Sequence, residues 1–391
     1  MTPMRNGAAL AALTLSLLLT PSLAGAAEKF EPVTLPIGSA APDFKLKNAV
    51  DEKEYSLADF KDAKVLAIIF TTNHCPTANA YEQRIIDLHK DYSAKGVAVV
   101  AINPNDPQAV RLDELGYTDV TDDFDSMKLR AKEHQYAFPY LYDGDTQTTA
   151  KAYGCQATPH VFIFDAERKL RYQGRIDDSD VKQVKSHDAR NAIDALLAGK
   201  PVPVEKTNVF GCSTKWSDKR EDAKTSLAKW DAEEVAIDTI DAAGVKKLAA
   251  NADGGKLLLV NVWATWCGPC VAEMPELVTV SRMYRKRPFE TITISIDEPE
   301  QKDAALKVLK DNHLSATNRL FTGDKDALVA ALDPEGWQGP VPHTVLIAPG
   351  GKIIYRESGA VDTLKLKRAI VEHIGRTYAS TPEKAHPKNA R

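Results

Sequence analysis

Long apolar runs are what this 391-residue chain has least of. Beyond its first 26 residues none approaches the roughly 20 that a membrane-spanning helix needs, so the sequence predicts a protein that is not membrane-embedded. An excess of one charge is lacking as well: 50 Lys and Arg stand against 54 Asp and Glu, a formal net charge of −4. Nothing in that balance favours a basic field, and no nucleic acid is expected among the partners. Cysteine is also sparse. Apart from Cys267 and Cys270 there is no second Cys-x-x-Cys and no Cys-x-x-His, so a structural zinc site is short of ligands. With Cys267 and Cys270 assigned together, Cys75, Cys155 and Cys212 remain, and at least one of them stays unpaired in a monomer.

What is present begins with a secretory pattern. Arg5 precedes a mostly apolar run over residues 8–19, and Ala24-Gly25-Ala26 comes before Ala27. Residues 1–26 read as a signal peptide, too short in its apolar part to span a bilayer, which predicts export across the inner membrane to the periplasm. Cleavage there leaves 391 − 26 = 365 residues, enough for two domains of about 100–200 residues each.

The informative stretch is Trp263-Ala264-Thr265-Trp266-Cys267-Gly268-Pro269-Cys270, with Glu273 and Pro275 just after it. Leu257-Leu258-Leu259-Val260 and Val262 read as a strand buried on both faces. Cys270, Met274, Leu277, Val280 and Tyr284 then recur at offsets of three and four, one face of a helix. Cys267 should therefore lie at a helix N-terminus, where free N–H groups and the helix dipole favour the thiolate that attacks a disulfide. Cys270, one turn on, is spaced to resolve the mixed disulfide. A structural disulfide is the plainer reading of the same two residues.

Trp-Cys-Gly-Pro-Cys is the active-site sequence of the thioredoxin superfamily, and Cys-Gly-Pro-Cys-Val-Ala-Glu-Met-Pro resembles its exported TlpA/ResA-like reductases. The resemblance implies that Pro275 is the kinking proline and that Glu273 is a proton acceptor for Cys270. A solvated helix carboxylate is the alternative for Glu273. Asn261 departs from thioredoxin proper, which has a buried Asp at that position.

The first half repeats the second. Counted from Pro159 and Pro342, Lys169 and Lys352 both fall ten residues later, and Tyr172 and Tyr355 thirteen later. Residues 64–70 and 97–103 read as strands, a helix runs from Pro76 to about Lys90, and another covers 186–197. The Asp-rich stretch 106–125 reads as an inserted solvated loop. Domain 1 resembles the redoxin or AhpC/TSA-type branch, on Ile37-Gly38-Ser39-Ala40-Ala41-Pro42-Asp43-Phe44, Asn73-His74-Cys75-Pro76, Tyr153-Gly154-Cys155-Gln156-Ala157-Thr158-Pro159 and Gly211-Cys212-Ser213-Thr214-Lys215-Trp216. Thr72 precedes Cys75 by three residues as in a peroxiredoxin, but Ile68 stands where that family has proline.

The expected architecture is α/β: two tandem thioredoxin-like domains, each a mixed central sheet flanked by helices. The expected boundaries are 30–200 for the redoxin-like domain, 201–234 for a linker with the Gly-Cys-Ser-Thr-Lys-Trp segment, 235–376 for the TlpA-like domain and 377–391 for a flexible tail. The resemblance implies cis peptides before Pro159 and Pro342, and a substrate groove formed by those prolines with Trp266. It further implies an exported thiol-disulfide oxidoreductase that reduces protein disulfides through Cys267 and Cys270, takes electrons from a membrane donor, and needs no organic cofactor or metal. Cys75 marks a second redox or binding site. Its partner is expected to be Cys155 first and Cys212 second, with an unpaired Cys75 and a buried, inert Cys155 as the other outcomes. A thiol peroxidase fed by domain 2, or a copper- or protein-binding module that uses His74, Cys75, Cys155 and His160, are the rival readings of domain 1.

Overall fold

The computed structural model describes residues 1–2, 29–252 and 254–378. Nearly all of the expected signal peptide and of the tail lies outside the described residues.

The apolar runs become the central strands. In the first half the strands are β1 (Lys45–Asn48), β2 (Glu54–Ser56), β3 (Val65–Phe70), β4 (Val97–Asn103), β5 (Tyr140–Tyr142), β6 (Ala157–Thr158), β7 (His160–Phe164), β8 (Leu170–Gly174) and β9 (Cys212–Ser213). Seven of them form one sheet in the order β2-β1-β5-β4-β3-β7-β8, while β6 and β9 pair separately. All six residues of β3 are buried. Alternation divides them: Val65, Ala67 and Ile69 meet one core with Tyr81 and Ile193, and Leu66, Ile68 and Phe70 meet the other with Tyr153 and Trp216. The flanking helices are α1 (Pro76–Tyr92), α2 (Phe124–Glu133), α3 (Thr148–Tyr153) and α4 (Asp188–Leu197).

After α5 (Arg220–Asp231) the pattern recurs. Strands β10 (Asp238–Ile240), β11 (Leu257–Trp263), β12 (Phe289–Ser295), β13 (Thr317–Phe321), β14 (His343–Ile347) and β15 (Ile353–Ser358) form a second sheet, ordered β10-β13-β12-β11-β14-β15. Its helices are α6 (Ala242–Ala250), α7 (Gly268–Tyr284), α8 (Lys302–Asp311), α9 (Lys325–Leu332) and α10 (Thr363–Ile374). In both sheets the central strand is parallel to the strand after it and antiparallel to the one that follows the cis-proline, so β3, β4 and β7 correspond to β11, β12 and β14. The Thr158–Pro159 and Val341–Pro342 peptides are both cis.

Two segments differ from expectation. The stretch 106–125 is not a solvated loop: Asp106, Ala109, Leu115, Thr118, Asp119, Val120 and Asp122 are all buried. Leu115 enters the second domain's core beside Leu277, Val280 and Met283, and the Tyr284 hydroxyl donates to the Thr118 carbonyl at 2.8 Å. Asp119 pairs with Arg376 at 2.5 Å and Arg368 at 3.3 Å, so the insertion docks the two halves together. Gly116 allows the close approach, because a Cβ there would lie 2.9 Å from the Met283 carbonyl oxygen. The second is Gly211-Cys212-Ser213-Thr214-Lys215-Trp216, which the sequence assigns to a linker. It returns instead to the first half, where Trp216 is buried in a core and β9 pairs with β6.

Candidate active site

Cys267 follows β11 and is the N-cap of α7, with Pro269 in the first turn. Its side chain accepts from the Cys270 N–H at 3.3 Å, and the two cysteines are joined as a disulfide with Cα atoms 5.3 Å apart. Cys270 is fully buried and Cys267 nearly so, whereas the Trp266 ring beside them is 64% exposed. Val341, which precedes the cis-proline Pro342, packs on the cluster that holds Cys267, Cys270, Trp263 and Met274. Pro275 interrupts α7 without ending it.

Glu273 does not point to solvent. It is 7% exposed, and its two carboxylate oxygens accept from Asn261 Nδ2 at 2.9 Å and the Val361 N–H at 3.0 Å. Burial raises its pKa, and those two hydrogen bonds only partly oppose the rise. Asn261 thus sits beneath the motif bonded to a buried acid, with its own Oδ1 unpaired. Asp297 is a residue that the sequence pattern does not single out. It holds the loop before the motif by accepting from the Thr265 N–H at 3.0 Å and hydroxyl at 2.6 Å.

Cys75 occupies the equivalent position, at the N-cap of α1 with Pro76 after it. It is fully buried and its thiol donates to the Thr158 carbonyl, before Pro159, at 3.4 Å. His74 next to it is also buried, with Nδ1 2.5 Å from Asp122 Oδ2. Asn105 Nδ2 and the Asn73 N–H donate to the same carboxylate, each at 2.8 Å. Burial works against charge on Asp122, but His74 and these donors take its pKa down to about 2. Burial likewise disfavours a cationic His74, yet Asp122 holds its pKa above the ordinary value. Burial would raise the Cys75 thiol; a hydrogen bond from Cys212, the His74 charge and the Ala78 N–H prevail and bring it down to about 6.

The three remaining cysteines are not equivalent. The Cys212 side chain lies close enough to Cys75 to favour its thiolate. Cys155 is fully buried in the core with Phe70 and Tyr153, its sulfur 3.4 Å from the Ala157 carbonyl oxygen and 3.5 Å from Thr214 Oγ1. Burial pushes its pKa up to about 12, so it is an inert thiol there. Of the two expected partners, Cys212 is on the strand paired with Thr158, beside Cys75, and Cys155 faces the core. His160 is neutral and structural: burial lowers its pKa to about 4, and it bonds the Gln156 N–H and the Gln173 amide. Among the described residues no group of three or more His, Cys, Asp or Glu is arranged to hold a metal ion. No described helix is long and apolar enough to cross a membrane.

Sheet order, helix-capping cysteines and cis-proline loops together define two thioredoxin-like domains in tandem. Family models agree: the chain joins an AhpC/TSA family domain, matched over residues 37–173, to a Redoxin domain, matched over residues 236–372. Thiol-disulfide oxidoreductase ResA of Oceanobacillus iheyensis is 31% identical over 115 residues, which is 29% of this chain and 55% of that protein. Thiol:disulfide interchange protein CycY of Rhizobium leguminosarum bv. viciae is 32% identical over 117 residues, 30% of this chain and 58% of that one. The chain thus spans little more than half the length of these curated relatives. A hypothetical protein of Sinorhizobium meliloti 1021, known from a crystal structure, is 36% identical and covers 48% of this chain and 99% of its own, with a TM-score of 0.43.

Proposed function

We propose that the protein is an exported thiol-disulfide oxidoreductase that reduces protein disulfides through Cys267 and Cys270. The observation that carries this reading is the bonded pair at the α7 N-terminus beside the exposed Trp266. In the reduced form, N–H groups at that terminus stabilise the Cys267 thiolate. The thiolate attacks a substrate disulfide and releases one substrate thiolate; Cys270 then attacks Cys267 and releases the other. Glu273 is the residue proposed to take the Cys270 proton, and burial, by raising its pKa, makes it a better proton acceptor than an ordinary carboxylate. Trp266 and the loop at Pro342 form the groove for an extended substrate. Periplasmic location and a membrane electron donor belong to the same proposal, supported by the N-terminal sequence pattern and by relatives named as thiol-disulfide oxidoreductases.

A direct test mixes pre-reduced protein with a disulfide-bonded peptide and maps the oxidised cysteines by mass. Two electrons should leave Cys267 and Cys270 for each peptide disulfide opened. A Cys267→Ser variant that opens the peptide at the wild-type rate would refute the assignment.

A further inference from the structure

Cys75 and Cys212 are both placed at Thr158, apart from the Cys267–Cys270 site. Strand β9 pairs with β6 so that Cys212 lies opposite Thr158, the residue whose carbonyl oxygen is 3.4 Å from the Cys75 sulfur. The approach depends on Gly211, whose φ is +148° and whose Cβ, if it had one, would fall 2.1 Å from the Thr158 oxygen. Both sulfurs are therefore brought to one residue by backbone geometry. Their exposure differs. Cys75 is fully buried, whereas Cys212 is partly exposed on a cleft of about 670 Å³ that Arg175, Lys182, Phe210 and Tyr378 also line.

We infer that Cys75 and Cys212 form a second dithiol–disulfide centre, in which Cys212 is the sulfur that an incoming dithiol attacks and Cys75 the sulfur that leaves. The substrate thiolate bonds to Cys212 Sγ as the Cys75–Cys212 bond breaks, and Cys75 departs as a thiolate. The second substrate thiol then attacks the substrate sulfur in the mixed disulfide. The substrate becomes a disulfide, Cys212 retains one of the two substrate protons, and the other is released to solvent. A low-molecular-weight disulfide restores the pair: Cys212, the exposed sulfur, loses its proton and attacks it, releasing one small thiolate, and the Cys75 thiolate then attacks Cys212 Sγ and displaces the other. The division of roles follows from accessibility and from leaving-group chemistry, since a stabilised thiolate leaves faster. The buried His74–Asp122 pair supplies that stabilisation.

The attacking dithiol comes from another molecule. The docked end of α7 is at Tyr284, near Tyr117 and Asn79, and Cys267 is at the other end, about 25 Å away for 17 residues at about 1.5 Å each. This centre stands apart from the proposed exchange at Cys267, so it is read in the full chain with both Cys267 and Cys270 changed to Ser. After equilibration with glutathione and its disulfide, peptide mapping should find Cys75 linked to Cys212, with Cys155 still a thiol. A Cys75–Cys155 link, or two free thiols at the most oxidising ratio, overturns the centre. When reduced glutathione is added to the oxidised protein, the adduct should form on Cys212 over Cys75 by about tenfold or more. An adduct chiefly on Cys75 overturns the roles. If the double variant fails to fold, the same mapping on the unaltered chain should give a second disulfide beside Cys267–Cys270, and its absence is equally decisive.

Discussion

Asp122→Asn removes one buried charge and leaves the shape nearly unchanged. The Asp122 pKa lies at about 2 against an ordinary 3.8, which at roughly 1.4 kcal/mol per pKa unit is on the order of 2–3 kcal/mol. Because the folded value is the lower one, that stability is present above the ordinary carboxylate pKa and disappears as pH falls towards about 2. The variant should lose an amount of this order at neutral pH. The larger effect is on its neighbour. With Asp122 neutral, burial makes His74 shed its proton, and Cys75 loses the cation that helps bring its pKa to about 6. The thiolate fraction at pH 7, about nine-tenths for a pKa of about 6, should fall as that pKa rises. The assay is thiolate ultraviolet absorbance against pH in the Cys267→Ser/Cys270→Ser background, with circular dichroism to establish folding. A folded variant whose Cys75 midpoint does not move would refute the coupling between Asp122, His74 and Cys75.

Glu273→Gln should slow exchange at Cys267 and Cys270 while stabilising the fold as pH rises. A buried acid with a raised pKa contributes stability below its unfolded value and loses it as pH passes the folded value, so the amide's advantage in denaturant titrations should grow above the usual carboxylate range. A stability difference independent of pH would contradict this. Leu115→Ala empties a buried site between the halves and should cost about 2–5 kcal/mol, with calorimetry resolving two transitions in place of one. An unchanged single transition would mean that the insertion does not couple the domains. Cys155→Ala should leave the oxidation of Cys75 unaltered, and loss of that oxidation in peptide maps would restore Cys155 as a partner.

The elements that could be read from sequence are those whose signal is local. The runs at β3, β4 and β11 are apolar because parallel central strands are covered on both faces, and β4 begins and ends where the pattern places it. The thiol motif at Cys267 carries its strand and helix with it. The stretch 106–125 misled because composition counts charges without their partners. Its acids are buried only because Asp106 meets Arg220, Asp119 meets Arg376 and Asp122 meets His74, across 114, 257 and 48 residues. Such pairs leave no periodicity. The position of Cys212 leaves no pattern for a related reason: β9 is two residues long, too short to alternate, and its place follows from its partner strand β6. Cys155 lies nearer to Pro159 in sequence, but its side chain turns into the core.

Central to this account is Cys267 as the attacking sulfur and Cys270 as the resolving one. Trapping the intermediate tests it most directly. Cys270→Ser keeps the nucleophile and removes the thiol that frees it, so mixed disulfides with substrate should accumulate through Cys267 and vanish on reduction. Cys267→Ser should accumulate far fewer. Equal accumulation in both variants, or adducts that map to Cys75 in each, would contradict the account.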